Sequence, residues 1–418
     1  MFDPKDLFAQ ALRIEKPWFI ERMEFDPEKG KLDIWIDFAR GSLFYFEDAG
    51  LKIRGQFKAY DTTEKVWRHL NFFQYECHLH ARIPRLDLGE GRYRQAQAPW
   101  EGLANGFTFL FEAFLLELAR IMPVHQVCKL FGVSDQKLWS LLKKYTDLGR
   151  EVADYSSVQT IGMDETAARR GHDYVTLFVD LDERRTLYVT EGKDSETIEA
   201  FCADLQEHKG TPAQIEQVSC DMSPAFIKGV EAHLPQAAIV FDRFHITKVI
   251  NKAIDDIRRL ETKDNPLLKG SRYLFLSNQE NLSQKQRVKF DDIKLSVLNT
   301  RTMRAYHIRE AFQQIYNARS PRIFEKLLKK WYYWASHCRI EPMVKAAKTI
   351  KNHWDGVLNW AYQKISNGIL EGFNSLFQAA KSKARGYRRF DTIKIIIYLI
   401  TGKIDFSKIN RYYVTHTN

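Results

Sequence analysis

The chain has 418 residues, 44% of them apolar, and its 63 Lys+Arg against 53 Asp+Glu leave a formal net charge of +10. That length exceeds what one hydrophobic core organises, so two to four domains are expected. The charge calls for an anionic partner, and with no apolar run reaching about 18 residues that partner is nucleic acid rather than a membrane. Cys77, Cys128, Cys202, Cys220 and Cys338 are odd in number and form no CxxC pair, which argues against a disulfide framework. The start, MFDPKDLFAQ, is acidic and lacks a signal-peptide layout, so a cytoplasmic location is expected.

Acids outnumber bases in the first fifty residues. From Lys31 to about Trp100 the pattern is alternating and aromatic, in KLDIWIDF, SLFYFED and KVWRHLNFFQYECHLHARI, and predicts a small β-rich domain. Its core is expected to use Trp35, Phe44, Phe46, Trp67, Phe72, Phe73 and Tyr75. Residues 107–146 change to helical period. PVHQVCKLFGVSDQKLWSLLKKY predicts a helix-turn-helix, with Gly132 in the turn and Ser134 capping a second helix. Leu138, Leu141 and Leu142 should face its core, leaving Gln136, Lys137 and Ser140 for a DNA groove.

Between Val158 and Ile250 the order is three strands joined by short turns (VQTIGMD, YVTLFVDLD, TLYVTEG), then helix, strand, helix, strand and helix. This predicts a mixed sheet flanked by helices. From about 253 to 360 only helical patterning appears. Residues 301–351 hold twelve Lys/Arg against three Glu, and 379–412 hold nine against two, so a phosphate backbone is expected to meet mainly the second half.

Asp164 and Asp221 lie on or at the end of buried-strand runs, where an unpaired carboxylate costs several kcal/mol unless a cation neutralises it. Oxygen ligands suit Mg²⁺ or Mn²⁺, and two such ions can stabilise the attacking and leaving oxygens of a phosphoryl displacement. Glu371 follows on a later helix among Ile369, Leu370, Phe373, Leu376 and Phe377, with Asn374 close by. That apolar face is expected to pack on the sheet and aim Glu371 at the strand acids. Asp242 and His245, in FDRFH, are expected to support the same sheet edge. Glu165 should point to the opposite face of its strand. Arg169, Arg170 and His172 are candidate phosphate contacts, as are Lys381, Lys383, Arg385, Arg388 and Arg389 beyond Glu371.

At GMDETAARRGHDYVTLFVDLD, CDMSPAFIKGV, FDRFHITKVINKAIDDIRR and LEGFNSLFQAAKSKARGY the chain resembles the DDE transposases of bacterial insertion sequences, specifically the ISL3 group. The likeness extends through WRHLNFFQYECHLHARIPR and the helix-turn-helix. It implies an α/β multidomain protein. A ribonuclease-H-like catalytic domain (155–252 and 361–418) would be interrupted by an all-helical insertion (253–360), and preceded by a β-rich domain (1–103) and a helix-turn-helix (104–150). It carries the three catalytic, metal-holding acids onto Asp164, Asp221 and Glu371, with two Mg²⁺ per site and Mn²⁺ as a substitute. The implied activity is binding of terminal inverted repeats followed by DNA cleavage and strand transfer, on double-stranded DNA, by a homodimer or larger assembly without a nucleotide cofactor. A DNA-binding regulator with a decayed catalytic domain and an endonuclease without joining activity are the alternatives. One departure stands out: the N-terminal cysteine pairs usual in the family are absent, and only His69, Cys77, His78 and His80 lie nearby. A metal-free β-domain, with no zinc, is the expectation.

Overall fold

The computed structural model describes residues 3–48, 50, 52–104, 106–167, 174–277, 281–296, 300–364 and 368–413. The architecture is mixed α/β, with two mixed sheets. The chain divides into two compact units, one of residues 1–153 with 379–418 and one of residues 154–378.

The first unit opens with α1 (Pro4–Ala11), whose N-terminus is capped by the Asp3 carboxylate accepting from the Lys5 N–H. Strands β1 (Trp18–Asp26), β2 (Lys31–Phe38), β3 (Leu43–Asp48), β4 (Ile53–Phe72), β5 (Tyr75–Asp87) and β6 (Tyr93–Gln95) follow. They are ordered β1-β2-β5-β4-β3, with β6 beside β5, and β2 and β5 run parallel. Strict alternation sorts the side chains: Leu32, Ile34 and Ile36 are buried with Cys77, Leu79 and Ala81, while Asp33, Trp35, His78 and His80 take the other face. The core joins Trp18, Phe44, Trp67 and Trp100, with Trp18 and Trp100 ring centroids 5.2 Å apart and edge-on. Each such ring removes about 150–250 Å² from water, or about 4–6 kcal/mol of transfer free energy. Of the aromatics expected there, Phe44 and Trp67 are buried and Phe46 and Phe72 pack on the cluster. Trp35 lies instead on the opposite face, stacked on His80 at 4.6 Å, and Phe73 is 79% exposed at the β4–β5 turn.

Three helices continue this unit: α2 (Phe109–Ile121), α3 (Val124–Phe131) and α4 (Asp135–Glu151). Gly132 ends α3 in the left-handed region at φ 64°, and the Ser134 hydroxyl accepts from the Lys137 N–H to start α4. Leu138, Leu141 and Leu142 are buried. The end of the chain belongs to this same unit. Its last helix, Phe390–Thr401, packs on α2 and α4, and Ile404 fills the space that a Cβ on Gly149 would take. Asn410 Nδ2 donates to the Phe109 carbonyl at 2.8 Å and to Tyr145 Oη at 2.9 Å. Tyr145 Oη in turn donates to Glu112 Oε2 at 2.7 Å.

The second unit carries β7 (Thr160–Ala167), β8 (Tyr174–Asp180), β9 (Arg185–Glu191), α5 (Glu196–Glu207), β10 (Gln217–Cys220), α6 (Pro224–His233), β11 (Ala238–Phe241) and α7 (Arg243–Glu261). Its sheet is ordered β11-β10-β7-β8-β9; β7, β8 and β9 are antiparallel, and β10 runs parallel to both β7 and β11. Helices α8 (Arg272–Leu276), α9 (Gln284–Ser296), α10 (Arg301–Ile315), α11 (Pro321–Ser336), α12 (Glu341–Asn352) and α13 (Trp354–Gln363) come next. They pack around Phe312, Tyr316 and Trp331, and α13 returns to β11, where the Phe241 ring lies against Gly356. Helix α14 (Gly368–Lys383) then comes back to the sheet.

Candidate active site

Strands β7 and β10 pair with Ser219 opposite Gly162, and β10 and β11 pair with Cys220 opposite Phe241. Asp221 and Asp242 directly follow these strand ends, and the same registers carried past the last paired residues would bring them level with Asp164, whose carboxyl feels the charge of both. They stand at the carboxyl ends of the parallel strands β10 and β11, where α/β sheets open their ligand crevices. One oxygen of each is held by a nearby backbone N–H: Asp164 Oδ1 by Glu165 at 2.8 Å, Asp221 Oδ1 by Ser223 at 2.9 Å and Asp242 Oδ1 by Phe244 at 3.0 Å. Asp242 thereby caps α7, placing the half-buried His245 in its first turn. Burial raises the Asp164 carboxyl above its ordinary value; Asp221 and Asp242 push it the same way, while the Glu165 N–H and His245 oppose them. Glu165 is raised too, mainly by burial, with Lys193 opposing.

Helix α14 lies along β7 in a regular register. Leu370 Cδ1 would stand 2.7 Å from a Cβ on Gly162, Asn374 Nδ2 donates to Asp164 Oδ2 at 2.7 Å, and Gln378 Nε2 donates to Thr166 Oγ1 at 2.9 Å. Positions four apart on the helix thus meet positions two apart on the strand. The spacings agree because four helical residues rise about 6 Å and two strand residues about 6.7 Å. Leu370 and Phe377 are buried, whereas Leu376 is 51% exposed and Gly372 faces open space. The face against the sheet is therefore partly polar. Glu371 is exposed in the first turn of α14, three residues before Asn374, a spacing that brings Cβ atoms to about 5–6 Å.

Asn374 Oδ1 is buried and has no hydrogen-bond partner among the described residues. With the carboxylates of Asp164 and Asp221 it would offer oxygen donors only, a chemistry that suits a hard divalent cation. Among the described residues no three His, Cys, Asp or Glu are drawn together at metal-holding distances.

The remaining candidates are dispersed. Arg169, Arg170 and His172 lie outside the described residues. Gln136 and Ser140 are exposed on α4, but the Lys137 ammonium turns inward and sits 3.8 Å from the Phe107 ring centroid, where burial lowers its pKa. Lys383, Arg385, Arg388 and Arg389 are exposed in the first unit, and Lys381 is half-buried with its pKa lowered by burial. In the β-rich sheet, His69 Nδ1 meets Thr108 Oγ1 at 2.8 Å inside the core, Cys77 is buried, and His80 Nε2 meets Asp33 Oδ1 at 2.6 Å on the other face. Leu370 packs on the sheet as expected of its apolar face, whereas Gly162 and Gln378 were not among the residues singled out from sequence. The signal for Gln378 was the four-residue spacing of Leu370, Asn374 and Gln378.

A mixed α/β unit with a row of carboxylates at its parallel strand ends is a candidate enzyme of acid-bound metal chemistry. Residues 161–397, more than half of the chain, match the family model described as a transposase, that of the ISL3 DDE transposases, and the chain belongs to this family. It is 27% identical over 379 residues to the transposase for insertion sequence element IS1001 of Bordetella parapertussis, covering 88% of this chain and 91% of that protein. It is 25% identical over 426 residues to the transposase for insertion sequence element IS1557 of Mycobacterium tuberculosis, covering 91% and 92%. A solved simian T-cell lymphotropic virus intasome in complex with the PP2A regulatory subunit B56 gamma aligns with 13% identity over 43% of this chain and 73% of its own, at a TM-score of 0.17. That likeness is too slight to bear on the fold. Membership makes the chain a DNA-acting transposase enzyme of a family that generally uses divalent metals. Among the described residues no helix is long and apolar enough to cross a membrane.

Proposed function

We propose that this transposase binds the terminal inverted repeats of its own insertion sequence, cleaves DNA there and joins the released 3′-hydroxyl to a target phosphodiester. The catalytic domain is read as ribonuclease-H-like. In support are the strand order β9-β8-β7-β10-β11 and the return of α14 to β7 after a helical insertion. The observation that carries the reading is the Asn374 amide of the returning helix on Asp164, a carboxyl that Asp221 and Asp242 also reach by their charge.

Asp164, Asp221 and Glu371 would hold the Mg²⁺ ions. When bound, two such ions lower the pKa of the attacking oxygen and stabilise the leaving one. The chain's own residues supply the rest. The Glu165 N–H and the Asn374 amide fix the rotamer of Asp164, so that its charge is aimed rather than free to turn. Burial and the neighbouring Asp221 and Asp242 make an isolated negative charge on Asp164 costly, which favours uptake of a cation. Asp242 and His245 act as supports at the start of α7. Gln136 and Ser140 on α4 would read the repeat; Lys381, Lys383, Arg385, Arg388 and Arg389, with Arg169 and Arg170, would meet phosphates. Two ends must meet, so a dimer or larger assembly on DNA is part of the proposal.

The test is a labelled end-sequence duplex incubated with the full chain and Mg²⁺. Cleavage followed by a joined product supports the reading. Cleavage without joining identifies an endonuclease, and specific binding with intact DNA identifies a regulator.

A further inference from the structure

Helix α11 presents a cationic and aromatic face that neither the sheet site nor the helix-turn-helix uses. Its buried side holds Phe324, Leu328, Trp331 and Ala335. On the opposite side, Arg322, Lys326, Lys330 and Trp334 follow one another at four-residue spacing, a single ridge with steps of about 6 Å. All four are exposed, Trp334 at 44% and the neighbouring Tyr333 at 67%. A core-forming helix of this type ordinarily keeps its outer face polar, so the half-exposed Trp334 indole and the outer face of the Tyr333 ring, whose other face stacks on His337 at 4.3 Å, call for an occupant beside three cations.

The local acids are already engaged. Glu325 pairs with Lys329 at 2.6 Å, and on α12 Glu341 pairs with Lys345 at 2.7 Å. Arg322, Lys326 and Lys330 have no ion pair among the described residues. The face is therefore a strip of positive charge without local compensation, edged by Ile323 and Trp334. Cations alone would suit any polyanion. Cations interleaved with exposed indole and phenol rings suit a polyanion that also offers flat apolar faces, which is a nucleic acid strand with its bases unpaired. Paired bases in a duplex keep their faces stacked on one another and offer the rings nothing.

We propose that the outer face of α11 is a binding surface for single-stranded DNA, in which Arg322, Lys326 and Lys330 meet successive phosphates and Trp334 and Tyr333 stack on bases. This rests on the reading of the chain as a DNA-acting enzyme and gives the helical insertion a task of its own: holding a strand freed from its partner during cleavage or joining.

The probe is a labelled single-stranded oligonucleotide unrelated to the terminal repeats, titrated by fluorescence anisotropy with the full-length chain in EDTA across a salt series. A duplex of the same length and anionic phospholipid vesicles run in parallel. Lys326→Glu/Lys330→Glu should weaken single-strand binding at least tenfold and flatten the log–log salt slope by about 1.4, since each phosphate contact on a single strand contributes about 0.7. Trp334→Ala should weaken it about tenfold at unchanged salt slope, with a smaller effect on the duplex and partial recovery in Trp334→Phe. All these positions are exposed, so circular dichroism should stay as in the wild type. Single-strand affinity unmoved by both variants overturns the proposal. So does an equal loss on single strand and duplex from Trp334→Ala, or a loss confined to vesicles. A wild-type chain that binds the single strand through these residues yet leaves the end duplex uncut in Mg²⁺ would instead count against the reading of the sheet site.

Discussion

Gly162 is where the helix bearing Glu371 touches the central strand, and adding one methyl there perturbs the candidate site without altering any of its acids. A Cβ at Gly162 would stand 2.7 Å from Leu370 Cδ1 and 2.9 Å from Leu181 Cδ2. Both side chains are buried, Leu370 to 1% exposure, so the leucines cannot simply swing aside into water. Overpacking of this kind costs about 2 kcal/mol. Ala in place of Gly at an unstrained position returns about 0.7 kcal/mol through the unfolded chain, so Gly162→Ala should lower stability by about 1.3 kcal/mol. Leu370→Ala alone should cost about 2–5 kcal/mol as a cavity. In the double variant the new methyl occupies part of that cavity, and the two costs should fall short of their sum by about 1 kcal/mol or more. Urea unfolding of the four chains measures the cycle, and strand cleavage at a temperature where all are folded gives the functional arm. Because Leu370, Glu371 and Asn374 share one helix, Gly162→Ala should also lower cleavage. Additive costs, or a Gly162→Ala chain as stable and active as the wild type, would refute the packing of α14 on β7.

The helix-turn-helix carries a second expectation. Glu112 takes the N–H groups of Leu103 and Ala104 and the Tyr145 hydroxyl, at 2.9, 2.5 and 2.7 Å. A glutamine amide cannot accept from all three, so Glu112→Gln should cost about 1–3 kcal/mol for the donor left unpaired. Burial raises the Glu112 carboxyl above its ordinary 4.5. Folding therefore favours its protonated form, a contribution that is complete below the unfolded value and lost as pH rises through the folded one. The melting-temperature gap between wild type and Glu112→Gln should be widest at acid pH and narrow across that window; a gap that widens with pH contradicts the assignment. Among the proposed DNA contacts, Gln136→Ala and Ser140→Ala should change discrimination between the end sequence and a scrambled duplex in a competition assay. Lys137→Ala should instead destabilise the fold by about 0.5–2 kcal/mol through loss of its contact with the Phe107 ring. Arg385, Arg388 and Arg389 changed to Ala should weaken all duplexes alike and flatten the salt slope.

Much of the second unit was legible in sequence because its strands are short apolar runs bounded by Asp and Gly, and each local pattern agrees with the element it forms. Asp164 and Asp221 stood out because carboxylates are rare in such runs. The register between β7, β10 and β11 was not legible, since periodicity fixes which face a residue takes but not which residue lies across the ladder. The apolar stretch around Glu371 announced a buried helix face, yet the contacts that seat it on β7 include the polar Asn374 and Gln378, which hydropathy alone sends to solvent. Lys137 was read as a surface charge for the same reason; its stem and ammonium cover an aromatic ring instead. The β1 strand Trp18–Asp26 escaped notice because its Glu21, Arg22 and Glu24 are those of an exposed sheet edge. The attachment of the chain's end to α2 and α4 rests on Asn410 and Tyr413, which reach partners 301 and 293 residues away, Phe109 and Arg120. No local pattern encodes that distance.

The most direct measurement is strand cleavage of an end-sequence duplex by Asp164→Asn, Asp221→Asn and Glu371→Gln, each beside a binding titration on the same duplex. The account predicts that every one of the three loses cleavage by two or more orders of magnitude in Mg²⁺ while its affinity for the ends stays near that of the wild type. A Glu371→Gln chain that cuts at the wild-type rate would contradict it, since the exposed acid one turn before Asn374 would then have no part in the site.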